Sequence, residues 1–223
     1  MEKRTKALAA GLLYISFIAV TAVSAVIRNK LVDLGNVMVT FENIKASGGL
    51  FQLGFMFELV SALLFLLSAW TLWALLKDTN GSLALLFLIL NSIGTAIHSF
   101  SLVAYFTALK VLSGAGYLGA LQSDQASALA MLLLHLRENG FQVSQLFFAA
   151  WLLPLGYTVY KSGFAPRALG GLLMVEFLTW TAYFAQFFFF PGISWLVIAC
   201  SAIGFLGEVS LALWLVIWGA RRR

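Results

Sequence analysis

The sequence predicts an all-α membrane protein: a polytopic helix bundle of about six transmembrane helices with both termini cytoplasmic. Three observations predict it. Hydrophobic residues make up 61% of the chain, charged residues 10%, and the mean hydropathy is +0.94; soluble domains are nearer half apolar and a quarter charged. Apolar runs long enough to cross a bilayer, at about 20 residues each, recur along the whole length. Lys and Arg gather at the ends of those runs. The 223 residues hold about six such helices with short connections, so one integral membrane domain over 1–223 is the economical organisation. In a soluble chain the net charge of +5 would suggest nucleic acid. Here the basic residues mark helix ends, so membrane lipids are the expected partners and nucleic acid is not. The single Cys200 cannot form an internal disulfide.

The first span, 7–27, follows Lys3, Arg4 and Lys6. A positive start before an apolar run also describes a signal peptide, and Val23-Ser24-Ala25 resembles a cleavage site. The run is longer than the usual 7 to 15 residues of a signal core, and further spans follow, so an uncleaved helix is expected. From Arg28 to Gly49 polar and apolar residues mix too closely to span, which suits a short interfacial helix and a loop. The second span, 50–76, carries Glu58, Ser61, Phe65 and Ser68 on one face and ends before the turn signal Asn80-Gly81. In the third, 83–109, Asn91, Thr95, His98 and Leu102 align. A loop rich in small and polar residues is expected from Ser113 to Gln125.

The fourth helix, 126–160, is too long for one perpendicular crossing. At about 100° per residue, His135, Glu138, Gln142, Gln145 and Ala149 fall in one stripe, with Arg137 on another side. Gly163 suits a helix C-cap and Pro166 a helix start. The fifth and sixth spans, 168–190 and 195–218, form a hairpin around Pro191-Gly192-Ile193-Ser194. Glu176, Thr179, Tyr183 and Gln186 line one stripe of the fifth; Ser201, Gly204, Glu208 and Leu211 line one of the sixth. Trp195, Trp214, Trp218 and Tyr160 suit interfacial anchors, and Gly204 and Gly207 suit close helix packing.

With six spans, one side receives Lys3, Arg4, Lys6, Lys77, Lys161, Arg167 and Arg221 to Arg223, and the other Arg28, Lys30, Lys45 and Lys110. The positive-inside rule assigns the first side, and both termini, to the cytoplasm. Counting about 1.5 Å per residue puts Glu58, His98, His135 and Glu138 in the outward half, Glu208 near mid-membrane and Glu176 nearer the cytoplasm.

Several short strings, in order and spacing, give the chain a family likeness. They are Gly11-Leu12-Leu13-Tyr14, Leu50-Phe51 with Gly54-Phe55 and Glu58, Leu112-Ser113-Gly114-Ala115 with Tyr117-Leu118, Leu134-His135 with Gly140, and Phe147-Phe148. Leu155-Gly156-Tyr157, Ser162-Gly163-Phe164 with Pro166-Arg167, and Gly207-Glu208 with Leu213-Trp214 continue the series. Over nearly its whole length the chain resembles bacterial multi-pass proteins grouped as domain-of-unknown-function family 4386. Leu90-Asn91 stands where the family pattern has an arginine, and His98 is not a family feature. The resemblance implies a six-helix protein of a bacterial cytoplasmic (inner) membrane and assigns no reaction.

Polar groups inside a bilayer are costly and normally face a bundle interior or a wet cavity. The leading expectation is therefore an outward-facing cavity, lined by Glu58, His98, His135, Arg137, Glu138, Gln142 and Glu208, that binds or transports a small apolar or amphipathic ligand. Arg137 could equally pair with Glu58. A second expectation is a metal enzyme in which His135 and Glu138, one helical turn apart, are joined by Glu58. A third is proton or cation passage along Glu58, Glu208 and Glu176, and a fourth is a purely structural or partner-binding role. No G-x-S-x-G, phosphate loop or dinucleotide fingerprint is present, and neither a cofactor nor a catalytic residue is assigned.

Overall fold

The computed structural model describes residues 3–114, 122–189 and 194–219, with the backbone alone at 194–198 and 201. It runs α1 (Lys3–Leu31), α2 (Val37–Ala46), α3 (Gly48–Leu76), α4 (Gly81–Leu112), α5 (Ser123–Lys161), α6 (Arg167–Phe189) and α7 (Ser194–Trp214), closed by a π-helical turn at Leu215–Gly219. Among the described residues there is no strand, and six helices are long and apolar enough to cross a membrane. The protein is an all-helical, multi-pass integral membrane protein. The first four expected spans fall inside α1, α3, α4 and α5; the fifth follows α6 up to Phe189, residue 190 lying outside the described residues, and the sixth covers α7 from residue 195 and runs on into the π-helical turn. Most of the expected loop from Ser113 to Gln125, the Pro191–Ile193 turn, Arg221 to Arg223 and the side chains of Trp195 and Ser201 lie outside the described residues.

Local chemistry sets the helix ends. The mixed stretch after Arg28 does contain a short helix: the Asn36 side chain caps α2 by accepting from Val39 N–H at 3.2 Å, satisfying a donor that has no partner within the helix. Thr40 and Ile44 are its buried residues. Asn80, expected to make a turn, is the N-cap of α4 through Leu83 N–H at 3.1 Å. Gly163 follows α5 at φ +62°, the left-handed conformation expected of a C-cap. Lys6 Nζ donates to the Ala74 carbonyl at 3.1 Å, meeting one of the last, unpaired carbonyls of α3.

The chain divides into two compact units. The first comprises Met1–Ile18, Leu63–Ala96 and Gln142–Arg223; the second comprises Ala19–Ala62 and Ile97–Phe141. Helices α1, α3, α4 and α5 each contribute residues to both.

The first unit is built on aromatic side chains. Phe65 stacks on Phe17 at 4.2 Å and meets Trp151 edge-on at 5.0 Å, and Tyr14 meets Trp151 at 6.2 Å. In a membrane such contacts matter because lipid tails are as apolar as the side chains, and association relies on close packing. The glycines serve this directly. A Cβ on Gly170 would lie 2.5 Å from Tyr160 N and 2.6 Å from Gly156 O, so α5 and α6 approach backbone to backbone. Gly204 and Gly207 play the expected part against α6: their Cβ positions fall 2.5 Å from the Trp180 ring and from the Glu176 carboxyl carbon. Trp214 departs from expectation. It is 8% exposed and packs edge-on against Phe164 at 5.0 Å, because the stripe it shares with Leu211 faces the core; Trp218 is exposed.

In the second unit Phe51 stacks on Tyr105 at 4.2 Å. Gly54 lies against Ile27 and receives a hydrogen bond from Ser24 Oγ on its carbonyl, and Gly140 lies against Ser101. These contacts set the spacing of α1, α3, α4 and α5 around the charged side chains described next.

Candidate functional site

The polar stripe of α3 is buried as its spacing predicts: Glu58, Ser61, Phe65 and Ser68 all face inward, as do Asn91, Thr95, His98 and Leu102 of α4. Glu58, 6% exposed, meets Arg137 of α5, whose Nη2 donates to both carboxylate oxygens at 2.8 and 2.7 Å. Arg28 of α1 adds a third bond, Nη1 to Oε1 at 3.1 Å. Arg137 also gives Nη1 to Glu138 Oε2 at 3.0 Å. Its guanidinium lies over the rings of Phe141 at 5.0 Å and Tyr105 at 5.9 Å. A planar guanidinium suits this place because it can bond carboxylates along its edge while aromatic faces cover it.

The four charges sum to zero. Beside them opens a cleft of ≈ 240 Å³, lined by Arg28, Asn29, Val32, Leu34, Tyr105, Leu134, Arg137 and Glu138. Arg28, Asn29, Arg137 and Glu138 supply its charged and polar wall, Val32, Leu34 and Leu134 its aliphatic part, and Tyr105 an aromatic face.

α5 corrects the sequence reading. Arg137 is 2% exposed, whereas His135 is exposed. Of the expected stripe Gln142, Gln145 and Ala149 are buried, Glu138 is half-buried and His135 is exposed, and the inward face also takes in Ala130, Leu134, Arg137, Ser144 and Leu152. Small and aliphatic residues decide which polar side chain is carried inside. A stripe drawn through polar residues alone finds Gln142 and Gln145 but includes His135 and omits Arg137. The metal set of His135, Glu138 and Glu58 consequently does not fit: His135 faces outward, and both carboxylates are bonded to guanidinium groups. Among the described residues no three His, Cys, Asp or Glu side chains are placed to hold a metal ion. His98 is buried in the second unit, with its ring edge-on to Phe141 at 5.4 Å.

The family model described as Domain of unknown function (DUF4386) matches residues 9–219, a stretch that includes every charged side chain of this cluster. The chain belongs to the DUF4386 family. No curated protein and no solved structure matches it.

Two of the expected cavity residues of this DUF4386 protein, Gln142 and Glu208, belong to the first unit. Gln142 Nε2 donates to the Tyr183 hydroxyl at 3.3 Å. Glu208 accepts from the Tyr14 hydroxyl at 2.7 Å. Next to it Glu176, 0% exposed, accepts the backbone N–H groups of Gly207 at 2.8 Å and Glu208 at 3.2 Å through Oε1. Among the described residues no Lys, Arg or His forms an ion pair with either acid.

Sequence reasoning missed three residues. Tyr105 continues the α4 stripe of His98 and Leu102 by one more helical step, so its signal was present. Arg28 stands four residues after Ser24, which is buried against Gly54, but a basic residue near a helix end reads first as a topology marker. Tyr14 carries no local signal at all, since its partner Glu208 is 194 residues away.

Proposed function

We propose that this protein binds a small amphipathic molecule in the cleft bordered by Arg28, Tyr105, Leu134, Arg137 and Glu138. We further propose that it does so in a bacterial cytoplasmic membrane, with both termini in the cytoplasm and the cleft toward the outer side. The observation that carries the binding reading is the cleft itself: ≈ 240 Å³ of space beside buried, mutually neutralised charges, with aliphatic side chains completing the wall. Ligand sites commonly combine a mostly apolar lining with a few fixed polar groups. Orientation rests on the positions of Lys and Arg.

Native mass spectrometry of the purified protein tests the binding reading. A small molecule retained by the parent should be lost on Val32→Trp, which fills the cleft from the α1 side. A parent that retains nothing, or a variant that retains the same species, would count against it. Cysteine labelling that reaches position 223 only from outside would overturn the orientation.

A second reading, proton or cation handling, is favoured by one observation: Glu176 and Glu208 lie in membrane-spanning helices with a phenol and backbone amides as partners and, among the described residues, no cationic side chain bonded to them. Ionisable groups at such depth are functional candidates by default. Unchanged proton flux in liposomes carrying Glu208→Gln would remove this reading.

A further inference from the structure

We propose that the surface where the last turn of α5 meets the start of α6 binds an anionic phospholipid, its phosphate held by Lys161 and Arg167 and an acyl chain lying in the furrow beside Tyr157 and Gly171. The proposal is independent of the cleft described above, since all four residues belong to the first unit. All are open to a ligand: Lys161 and Arg167 are exposed, Tyr157 is 42% exposed, and a Cβ on Gly171 would meet nothing within 4 Å.

The two cations are gathered by aromatic rings. Lys161 Nζ lies over the Tyr157 ring at 5.7 Å, and the Arg167 guanidinium lies over the Tyr160 ring at 5.7 Å. Tyr157 and Tyr160 are three residues apart and so are neighbours on one helix face. The connection between the helices keeps them close: Gly163 turns the chain at φ +62°, and Ser162 Oγ donates to the Val159 carbonyl at 2.8 Å and accepts Phe164 N–H at 3.1 Å. Among the described residues neither cation forms an ion pair. Like charges held near one another without a counter-charge repel, and an anion placed with them removes that cost. At a helix end on the cytoplasmic side, the anion at hand is the phosphate of a lipid headgroup.

The surface below the cations favours a lipid over a free anion. α5 and α6 are antiparallel and touch at two glycines, a Cβ on Gly156 falling 2.8 Å from Gly170 O. Seen from one end, antiparallel helices turn in opposite senses. The next residue on each, about 100° round, therefore points to the same side of the pair, and these residues are Tyr157 and Gly171. By the same count Leu153 and Leu146 of α5 and Leu178 of α6 fall on that side, and they are 43%, 40% and 62% exposed. Because residue 171 has no side chain, the shared side is a furrow there and not a ridge. An apolar furrow that begins at two uncompensated cations has the outline of a phospholipid, with phosphate at the end and chain below.

The test uses the full chain, purified in detergent and stripped of lipid, with phosphatidylglycerol or phosphatidylcholine of the same acyl chains added and binding read by native mass spectrometry. A basic residue at a membrane surface is worth about fivefold in affinity for an anionic lipid. Phosphatidylglycerol should therefore bind at least about tenfold more tightly than phosphatidylcholine. Lys161→Gln and Arg167→Gln should each weaken it about fivefold while leaving phosphatidylcholine unchanged, and Lys161→Arg should retain it. Lys45→Gln removes another exposed cation held over a ring, that of Phe41, and should change nothing. Gly171→Leu should weaken both lipids; its side chain enters open space, so an unchanged melting temperature shows that the variant is folded. Equal affinity for the two lipids, or a loss in Lys45→Gln as large as in Lys161→Gln, overturns the site in favour of diffuse attraction. Phosphatidylglycerol binding that survives Gly171→Leu in full overturns the furrow as the place of the chain. Displacement of the lipid by soluble glycerol 3-phosphate would assign the cations to a free phosphate, and a co-purifying polypeptide released by Lys161→Gln would assign the surface to a protein; either result overturns the proposal.

Discussion

Glu58 of the second unit and Glu176 of the first are both buried acids on membrane-spanning helices, yet their surroundings share almost nothing. Glu58 is clasped by Arg137 and Arg28. Glu176 is met by two backbone N–H groups, those of Gly207 and Glu208, and bonds to no cationic side chain among the described residues. The first arrangement is built from side chains and depends on charge. The second is built on a missing side chain: only because residue 207 is glycine can a carboxylate reach the backbone of a neighbouring helix. Two acids that look alike in a hydropathy plot therefore differ in what a substitution would break.

The largest expected effect comes from dividing the ionic partners. Glu58→Gln takes a carboxylate from both Arg137 and Arg28 and leaves the buried Arg137 with Glu138 alone, and Arg137→Gln leaves the buried Glu58 with Arg28 alone. Each should lower unfolding stability by about 3 to 5 kcal/mol in denaturant titrations of the detergent-solubilised protein. The double variant should cost clearly less than the sum, since neither charge is then left alone. Additive losses would mean that the pair is not coupled, and the contrast with Glu176 would collapse.

Next in size is Gly207→Ala. Its new Cβ would sit 2.5 Å from the Glu176 carboxyl carbon, so the acid must leave the α7 backbone. A loss of about 1 to 3 kcal/mol is expected, measured in the same titrations. Full stability in Gly207→Ala would show that the acid's contact with the α7 backbone contributes nothing.

Glu176→Gln sharpens the comparison from the other side. The carboxamide keeps an acceptor for Gly207 N–H and strands no cation, so its cost should stay within about 1 kcal/mol. A loss as large as that of Glu58→Gln would place an unrecognised positive partner beside it.

The smallest effect belongs to His135. Its side chain is exposed, and His135→Ala should change stability by no more than about 0.5 kcal/mol. A destabilisation of several kcal/mol would return His135 to the interior, where its spacing with Glu138 and Gln142 first suggested it belonged.

Much of this was legible without coordinates. Membrane spans declare themselves because a run of about 20 apolar residues has few other uses, and the stripes of α3 and α4 were readable because each contains polar residues along a single line of helical spacing. Gly204 and Gly207 were recognisable as packing positions for the same local reason. α5 was harder: His135, Arg137, Glu138, Asn139 and Gln142 are polar on several sides of the helix, so polarity could not select the inward face. The aliphatic and small residues Ala130, Leu134, Ala149 and Leu152 selected it, and they carried Arg137 inward.

By itself, then, the sequence determined the class, the number of spans and most of the acids that had to be buried, because each of these follows from composition or from spacing along one helix. Only the tertiary structure decided which charges meet. Arg137 lies 79 residues from Glu58 and Tyr14 lies 194 residues from Glu208. No local pattern encodes those distances; they are set by how closely glycine and aromatic contacts allow separate helices to approach. Whether a buried acid is bonded to a guanidinium or to a bare helix backbone is therefore a property of packing.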